Sequence, residues 1–328
     1  MRHTIKLLIT GWANSLFENE NTDYRIYKLT SFALLQYLMW AITTIASTTS
    51  DSADTIAEAL LAAEAQFSHL HLQYTATRRN WNSPNEPFST LEGIYRQKSI
   101  ITEEGRKRLR YLDRKVFFVD PNTRQTTLLD DTLSTFDGNA TMVLDRKVES
   151  GKPMRGYVLA GYDHKQFPSY YMDPHAKIWY FDGQPLGEIL KQNKDTFRTV
   201  SKSEMLDGIP TVRLIGTIWH GKLTMTLWVS PERGFLPIKT QFEKTGGGRL
   251  LMGTVLHDFV RLPSGGWYAK KIQSPEVPLS DPAPAYFLIY DISKISTDPI
   301  SEDSFRLKFP PNTVILDDIL KVSYTTTD

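Results

Sequence analysis

Chemistry begins with side chains that can hold a metal, move a proton or attack a carbon, so the histidines and the paired carboxylates come first. His69 and His71 stand two apart in an alternating stretch and point to one face of a strand. They offer two imidazoles, but no third ligand follows at a sensible spacing and no HExxH occurs, so no metal site is expected. His164, His175, His220 and His257 are scattered and read as ordinary histidines. Acid–base hydrolysis needs two carboxylates facing one substrate. The adjacent pairs Glu103–Glu104, Asp130–Asp131 and Asp317–Asp318 fall in turns or at strand ends, where charge is solvated. Glu232 and Arg233, inside Leu227–Lys239 (LWVSPERGFLPIK), belong with them: Pro231 presets φ, Gly234 can take φ > 0, and the four residues read as a charged hairpin tip. There is no G-x-S-x-G, no P-loop and no G-x-G-x-x-G, and Gly246-Gly247-Gly248 joins two strands without opening a helix. The expectation is a protein without enzymatic activity, cofactor or metal.

With no catalytic constellation, composition sets the next bounds. The chain has 328 residues, a formal net charge of +1 and no cysteine. The balanced charge argues against nucleic acid as a partner. The missing cysteine removes disulfides, thiolate ligands, a thiol nucleophile and a lipidated anchor. Arg25 and Lys28 precede an uncharged apolar stretch over 29–47, followed by small residues that include a Thr44-x-Ala46 cleavage pattern. Residues 1–50 thus read as a secretory leader or, uncut, a signal anchor, leaving 51–328 as one exported domain in a periplasm-like space.

The exported part opens with one clear helix, Asp51–Phe67, whose Ile56, Leu60, Ala63 and Phe67 form a single apolar stripe. The period then changes to two. His69–Ala76 reads as a strand and Asn80–Thr90 as a loop. Further strands are expected at Gly93–Ile101, Arg106–Leu112, Lys115–Val119, Gln125–Leu129, Thr211–Trp219, Leu223–Val229, Phe235–Phe242, Leu250–Arg261, Trp267–Ser274, Tyr286–Ile295 and Phe305–Phe309. Thr141–Glu149 and Pro185–Asn193 are expected helices. Short connections favour an antiparallel meander. A long meander curls, and its concave face needs apolar cover, so the expected fold is mainly β with flanking helices: a curved antiparallel sheet wrapped around helical plugs. The residues singled out as lining an apolar hollow are Leu214, Trp219, Met225, Leu227, Trp228, Leu236, Ile238, Met252, Leu256, Phe287 and Ile289.

Several of these stretches resemble one family. Leu227–Pro237, with its tryptophan, its Pro-acid-x-Gly turn and its Leu-Pro opening the next strand, is similar to LolA-type periplasmic lipoprotein carriers and outer membrane lipoprotein-sorting proteins. Ser304–Val314 resembles that family's closing Phe-x-x-x-x-Pro-x-Gly-Thr-x-Val strand, with Asn312 where glycine is usual; asparagine also tolerates the left-handed region. Asp207-Gly208-Ile209-Pro210 matches its acid-Gly turn. The resemblance covers roughly 54–324. It implies an unclosed β-barrel whose cavity shelters acyl chains, with an acylated lipoprotein or lipid as partner and membrane contact only through the leader or in passing. Relatives on the same scaffold act as sensors that dock an envelope protein.

Overall fold

A computed structural model of the chain describes residues 52–80, 83–102, 105–148, 151–161, 173–246, 250–276 and 286–327. The leader and the pair Glu103–Glu104 lie outside the described residues. Among those described, no helix is long and apolar enough to cross a membrane.

Helix α1 (Ala53–Ala65) starts where the Ser52 hydroxyl accepts the Thr55 amide at 3.2 Å, a serine N-cap. Ile56, Leu60, Ala63 and Phe67 are all buried, as the stripe required. The chain then runs through six strands: β1 (His69–Asn80), β2 (Ser83–Thr102), β3 (Gly105–Val119), β4 (Thr126–Phe136), β5 (Ala140–Asp145) and β6 (Arg155–Ala160). Two short helices follow, α2 (Pro174–Trp179) and α3 (Leu186–Gln192), linked by the small hairpin β7 (Tyr180–Phe181) and β8 (Gln184–Pro185). A second meander comprises β9 (Arg198–Leu206), β10 (Ile209–Ile218), β11 (Leu223–Ser230), β12 (Leu236–Lys244), β13 (Leu250–Arg261), β14 (Trp267–Glu276) and β15 (Tyr286–Ser296). The chain ends with β16 (Val314–Asp317) and β17 (Val322–Thr325).

Fifteen strands make one sheet in the order β17-β16-β6-β5-β4-β3-β2-β1-β15-β14-β13-β12-β11-β10-β9. The two meanders join through antiparallel β1–β15 pairing. The sheet curves without closing: β17 and β9 remain its edges. The fold is mainly β, an unclosed half-barrel with helices on its concave face. α1 packs on α3 and β12, and α2 packs on β13 and β14. The main core lies between these helices and β1, β2 and β10–β15. Tyr74 illustrates the close fit: its ring lies over Gly93 on β2, where an added Cβ would collide with Tyr74 Cζ.

Four local expectations are corrected. Thr141–Glu149 is not helical. Ala140–Asp145 is a strand, because neighbours β4 and β6 pair with it on both sides and that pairing outweighs the local helical pattern. The expected loop over 80–90 belongs largely to β2, which pairs with β1 as far as Ser83. The expected pair Arg106–Leu112 and Lys115–Val119 is the single strand β3, since Asp113 and Arg114 stay in register with Ile94 and Gly93. Phe305–Phe309 is not a strand. Glu302–Phe305 forms a 3-10 turn that buries Phe305 outside the main core, and the closing strand begins only at Val314, parallel to β6.

Candidate functional site

The apolar residues of the second meander lie under the helical plug. Leu214, Met225 and Leu227 are 0% exposed, Leu236 and Ile238 1%, and Leu256 2%. A side chain with no accessible surface borders no space that admits even a water, so no open hollow lies over Leu214, Met225 and Leu227, which share one packed core with residues of the helices. Met252 is half-buried against the same core. The other four residues lie elsewhere. Trp228 points to the opposite face of the sheet, as alternation along β11 requires of the residue after the inward-facing Leu227. Its indole Nε1 donates to Glu204 Oε1 at 3.3 Å, and Lys239 Nζ lies 4.7 Å from its ring centroid. Trp219 sits at the exposed end of β10, 47% exposed, against Phe181 at 5.3 Å. On β15 the buried residues are Leu288 and Tyr290, so Phe287 and Ile289 face the other way.

A buried polar cluster around Glu64 also anchors the plug. Glu64, on the buried side of α1, is 3% exposed. Tyr180 O–H donates to Glu64 Oε1 at 2.7 Å, Arg108 Nη2 from β3 lies 3.4 Å from Oε2, and His175 Nε2 lies 3.7 Å from Oε1. Burial alone raises the Glu64 pKa, but His175, Arg108 and Tyr180 together outweigh it and bring the carboxyl down to about 2. His175 is fully buried, parallel to the Tyr268 ring at 6.2 Å and edge-on to Phe67 at 5.8 Å, with Nδ1 3.4 Å from the Tyr268 hydroxyl. Asp173 caps α2 by accepting the His175 amide at 2.8 Å and the Ala176 amide at 3.1 Å. The cluster thus ties α1, α2 and β3 together. One signal in the sequence marked it: Glu64 stands four residues after Leu60 and next to Ala63, a carboxylate at the border of an apolar stripe.

The Pro-Glu-Arg-Gly turn has more neighbours than a solvated tip. Pro231–Arg233 forms a 3-10 turn, Gly234 follows in the left-handed region at φ 65°, and the Phe235 amide closes back on Ser230 O at 2.9 Å. Phe235 also has positive φ, 61°, a rare state for an aromatic residue. This path lays the Arg233 guanidinium over Phe259 at 4.2 Å and Trp267 at 5.1 Å. Beside it a pocket of about 190 Å³ opens between the end of α1, the end of α2 and two hairpin tips. Its wall includes Gln66, Phe67, Trp179, Arg233, Arg261 and Trp267, and of the expected cavity residues only Leu236.

Four of the other candidates for chemistry have structural partners. His69 Nδ1 accepts the Ile300 amide at 3.1 Å, Asp130 pairs with Arg114 at 2.7 Å, and Asp131 accepts from Arg146 Nε at 2.7 Å. Asp317 accepts the Ile319 and Leu320 amides at 2.9 and 2.8 Å. No group of three or more metal-ligating side chains occurs among the described residues.

An unclosed β half-barrel plugged by short helices is the class of protein this geometry defines. No family model matches the chain, and no curated protein does. Solved structures do. The chain is similar to a DUF1329 family protein from Desulfovibrio piger, at 12% identity over 78% of this chain and 98% of that one, with a TM-score of 0.48. It is similar to an outer membrane lipoprotein-sorting protein domain from Vibrio parahaemolyticus, at 12% identity over 77% and 97%, TM-score 0.42. It also matches the Pseudomonas aeruginosa MucA/MucB complex at 10% identity over 73% and 93%, TM-score 0.27. The structural neighbours thus include the kind of protein that the strand-and-turn motifs resemble. At these identities and scores, none of them assigns a ligand or a residue role to this chain.

Proposed function

We propose that this protein is an exported, non-enzymatic carrier or binder that shelters the acyl chains of a lipoprotein or lipid on the concave face of its half-barrel. One observation carries the reading: the apolar floor of an open sheet is covered by helices and the small β7–β8 hairpin, and not by a second sheet of comparable size. α2 and α3 have six and seven residues. Helices shorter than about 12 residues are marginal alone in water, so packing on the floor is what keeps these two folded. In the unliganded form they occupy the place an acyl chain would take. Each methylene buried there contributes about 0.8 kcal/mol, so a chain competes with the plug by the same physics that seats it. Leu214, Met225, Leu227, Leu236, Ile238 and Leu256 are then the floor that ligand contacts once the helices move.

The test is titration of the full chain with fluorescent fatty acids of several lengths. Saturable binding that tightens with chain length supports the reading, and failure of every length sinks it. A second reading, a module that docks an envelope protein, is favoured by the edge hairpin β16–β17. Leu316, Ile319, Leu320, Val322 and Tyr324 are 44–67% exposed there. Retention of one envelope protein from lipid-free extract, lost on replacing Leu320 with Asp, would favour that alternative.

A further inference from the structure

The pocket beside the Pro-Glu-Arg-Gly turn has a composition that a structural hairpin tip does not need. Arg233 is held against two aromatic faces and forms no ion pair among the described residues; its Nη1 is buried without an acceptor. Arg261, also in the wall, likewise forms no ion pair there. Glu232 is the one carboxylate in the wall and is exposed. The Gln66 side chain reaches over Gly266, where an added Cβ would meet Gln66 Oε1 at 2.8 Å. Trp179, 2% exposed, keeps its indole Nε1–H without an acceptor.

We propose that this pocket binds an oxyanion, a carboxylate or a phosphate, carried by a molecule with an adjoining apolar portion. Three features support it. Stacking fixes the plane of the Arg233 guanidinium before any ligand arrives, so little side-chain freedom remains to be lost, and a planar fork of donors matches carboxylate and phosphate oxygens. Two guanidinium groups against one carboxylate leave one net positive charge at the mouth, which a singly charged anion neutralises. A cavity of about 190 Å³ holds a head group; sites for whole drug-sized ligands run to roughly 300–1,000 Å³. The remainder of the ligand must lie outside, and the wall residues Ala63, Phe67 and Trp179 belong to the ends of α1 and α2, where the plug meets the floor. The apolar part of the ligand rests on the function proposed above, whereas recognition of the oxyanion rests on the pocket alone.

The test uses the full chain and its tryptophan fluorescence, since Trp179 and Trp267 are in the wall. Dodecyl phosphate, dodecanoate, dodecanol and inorganic phosphate are titrated into wild type, Arg233→Gln and Arg233→Lys. Loss of a charge-assisted hydrogen bond predicts that Arg233→Gln binds the two anionic amphiphiles about ten- to a hundredfold more weakly. Arg233→Lys falls between, and dodecanol binds all three proteins equally. Competition by inorganic phosphate identifies a free anion as the source, and its absence identifies a lipid head group; either supports the site. Equal affinity of wild type and a folded Arg233→Gln for dodecyl phosphate overturns the proposal, as does failure of wild type to bind either phosphate. If Arg233→Gln does not fold, Arg261→Gln is read by the same criterion. Failure of dodecanol alone counts against acyl-chain binding and leaves the oxyanion site standing.

Discussion

Replacing Glu64 by glutamine removes the one carboxylate that links α1 to β3 and to the aromatic cluster around His175, while leaving the shape of the side chain. The carboxyl has been brought from an ordinary 4.5 to about 2, with burial opposing and His175, Arg108 and Tyr180 favouring ionisation. A shift of this size corresponds to about 3 kcal/mol of stability. The folded pKa lies below the unfolded one, so this stability is fully present above pH 4.5 and is lost as pH falls from there through about 2. Urea denaturation across that window checks it. Wild type should lose about 3 kcal/mol more than Glu64→Gln between pH 6 and pH 2, and the variant should be the weaker protein by a similar amount at pH 7, where Arg108 is left without its counter-charge. Parallel stability profiles for the two proteins, or equal stability at neutral pH, would refute the role given to this cluster. If the plug must move for a chain to enter, the variant also takes up fatty acid more readily than wild type at pH 7.

Gly187→Ala tests the same plug from α3: the new Cβ would lie 2.7 Å from Ala57 O and 2.6 Å from Leu61 Cγ of α1. The forced separation should cost about 1–3 kcal/mol in urea denaturation and raise fatty-acid uptake. Unchanged stability would show that the two helices part without strain. Asn312 takes φ 60°, the left-handed state expected for a residue standing where glycine is usual. Asn312→Val should therefore destabilise by about 1–2 kcal/mol, measured by thermal melting, while Asn312→Gly stays near wild type. Equal melting of both variants would refute this.

Local signals were legible where the cause is local. The α1 stripe, the left-handed Gly234 and the two-residue period of β10 to β14 all depend on residues within a turn or two of one another. The candidate site was legible only in part. Leu214, Met225 and Leu227 could be identified as inward-facing, but not as covered. Trp228 could not share a face with Leu227, its neighbour on one strand, whereas the face taken by Phe287 and Ile289 was open, since a one-residue slip of register exchanges the faces of a strand.

Period and turn chemistry thus determined that this chain makes a curled antiparallel sheet with a leading helix, and composition that no disulfide holds it together. Tertiary structure alone decided that β5 is a strand, that β16 returns parallel to β6, and that the helices pack on β12 to β14. It also brought Glu64 to Arg108, His175 and Tyr180, and Arg233 to Phe259 and Trp267. These partners lie on different elements far apart along the chain. Only packing in three dimensions brings such groups within reach, and a one-dimensional pattern carries no record of those distances.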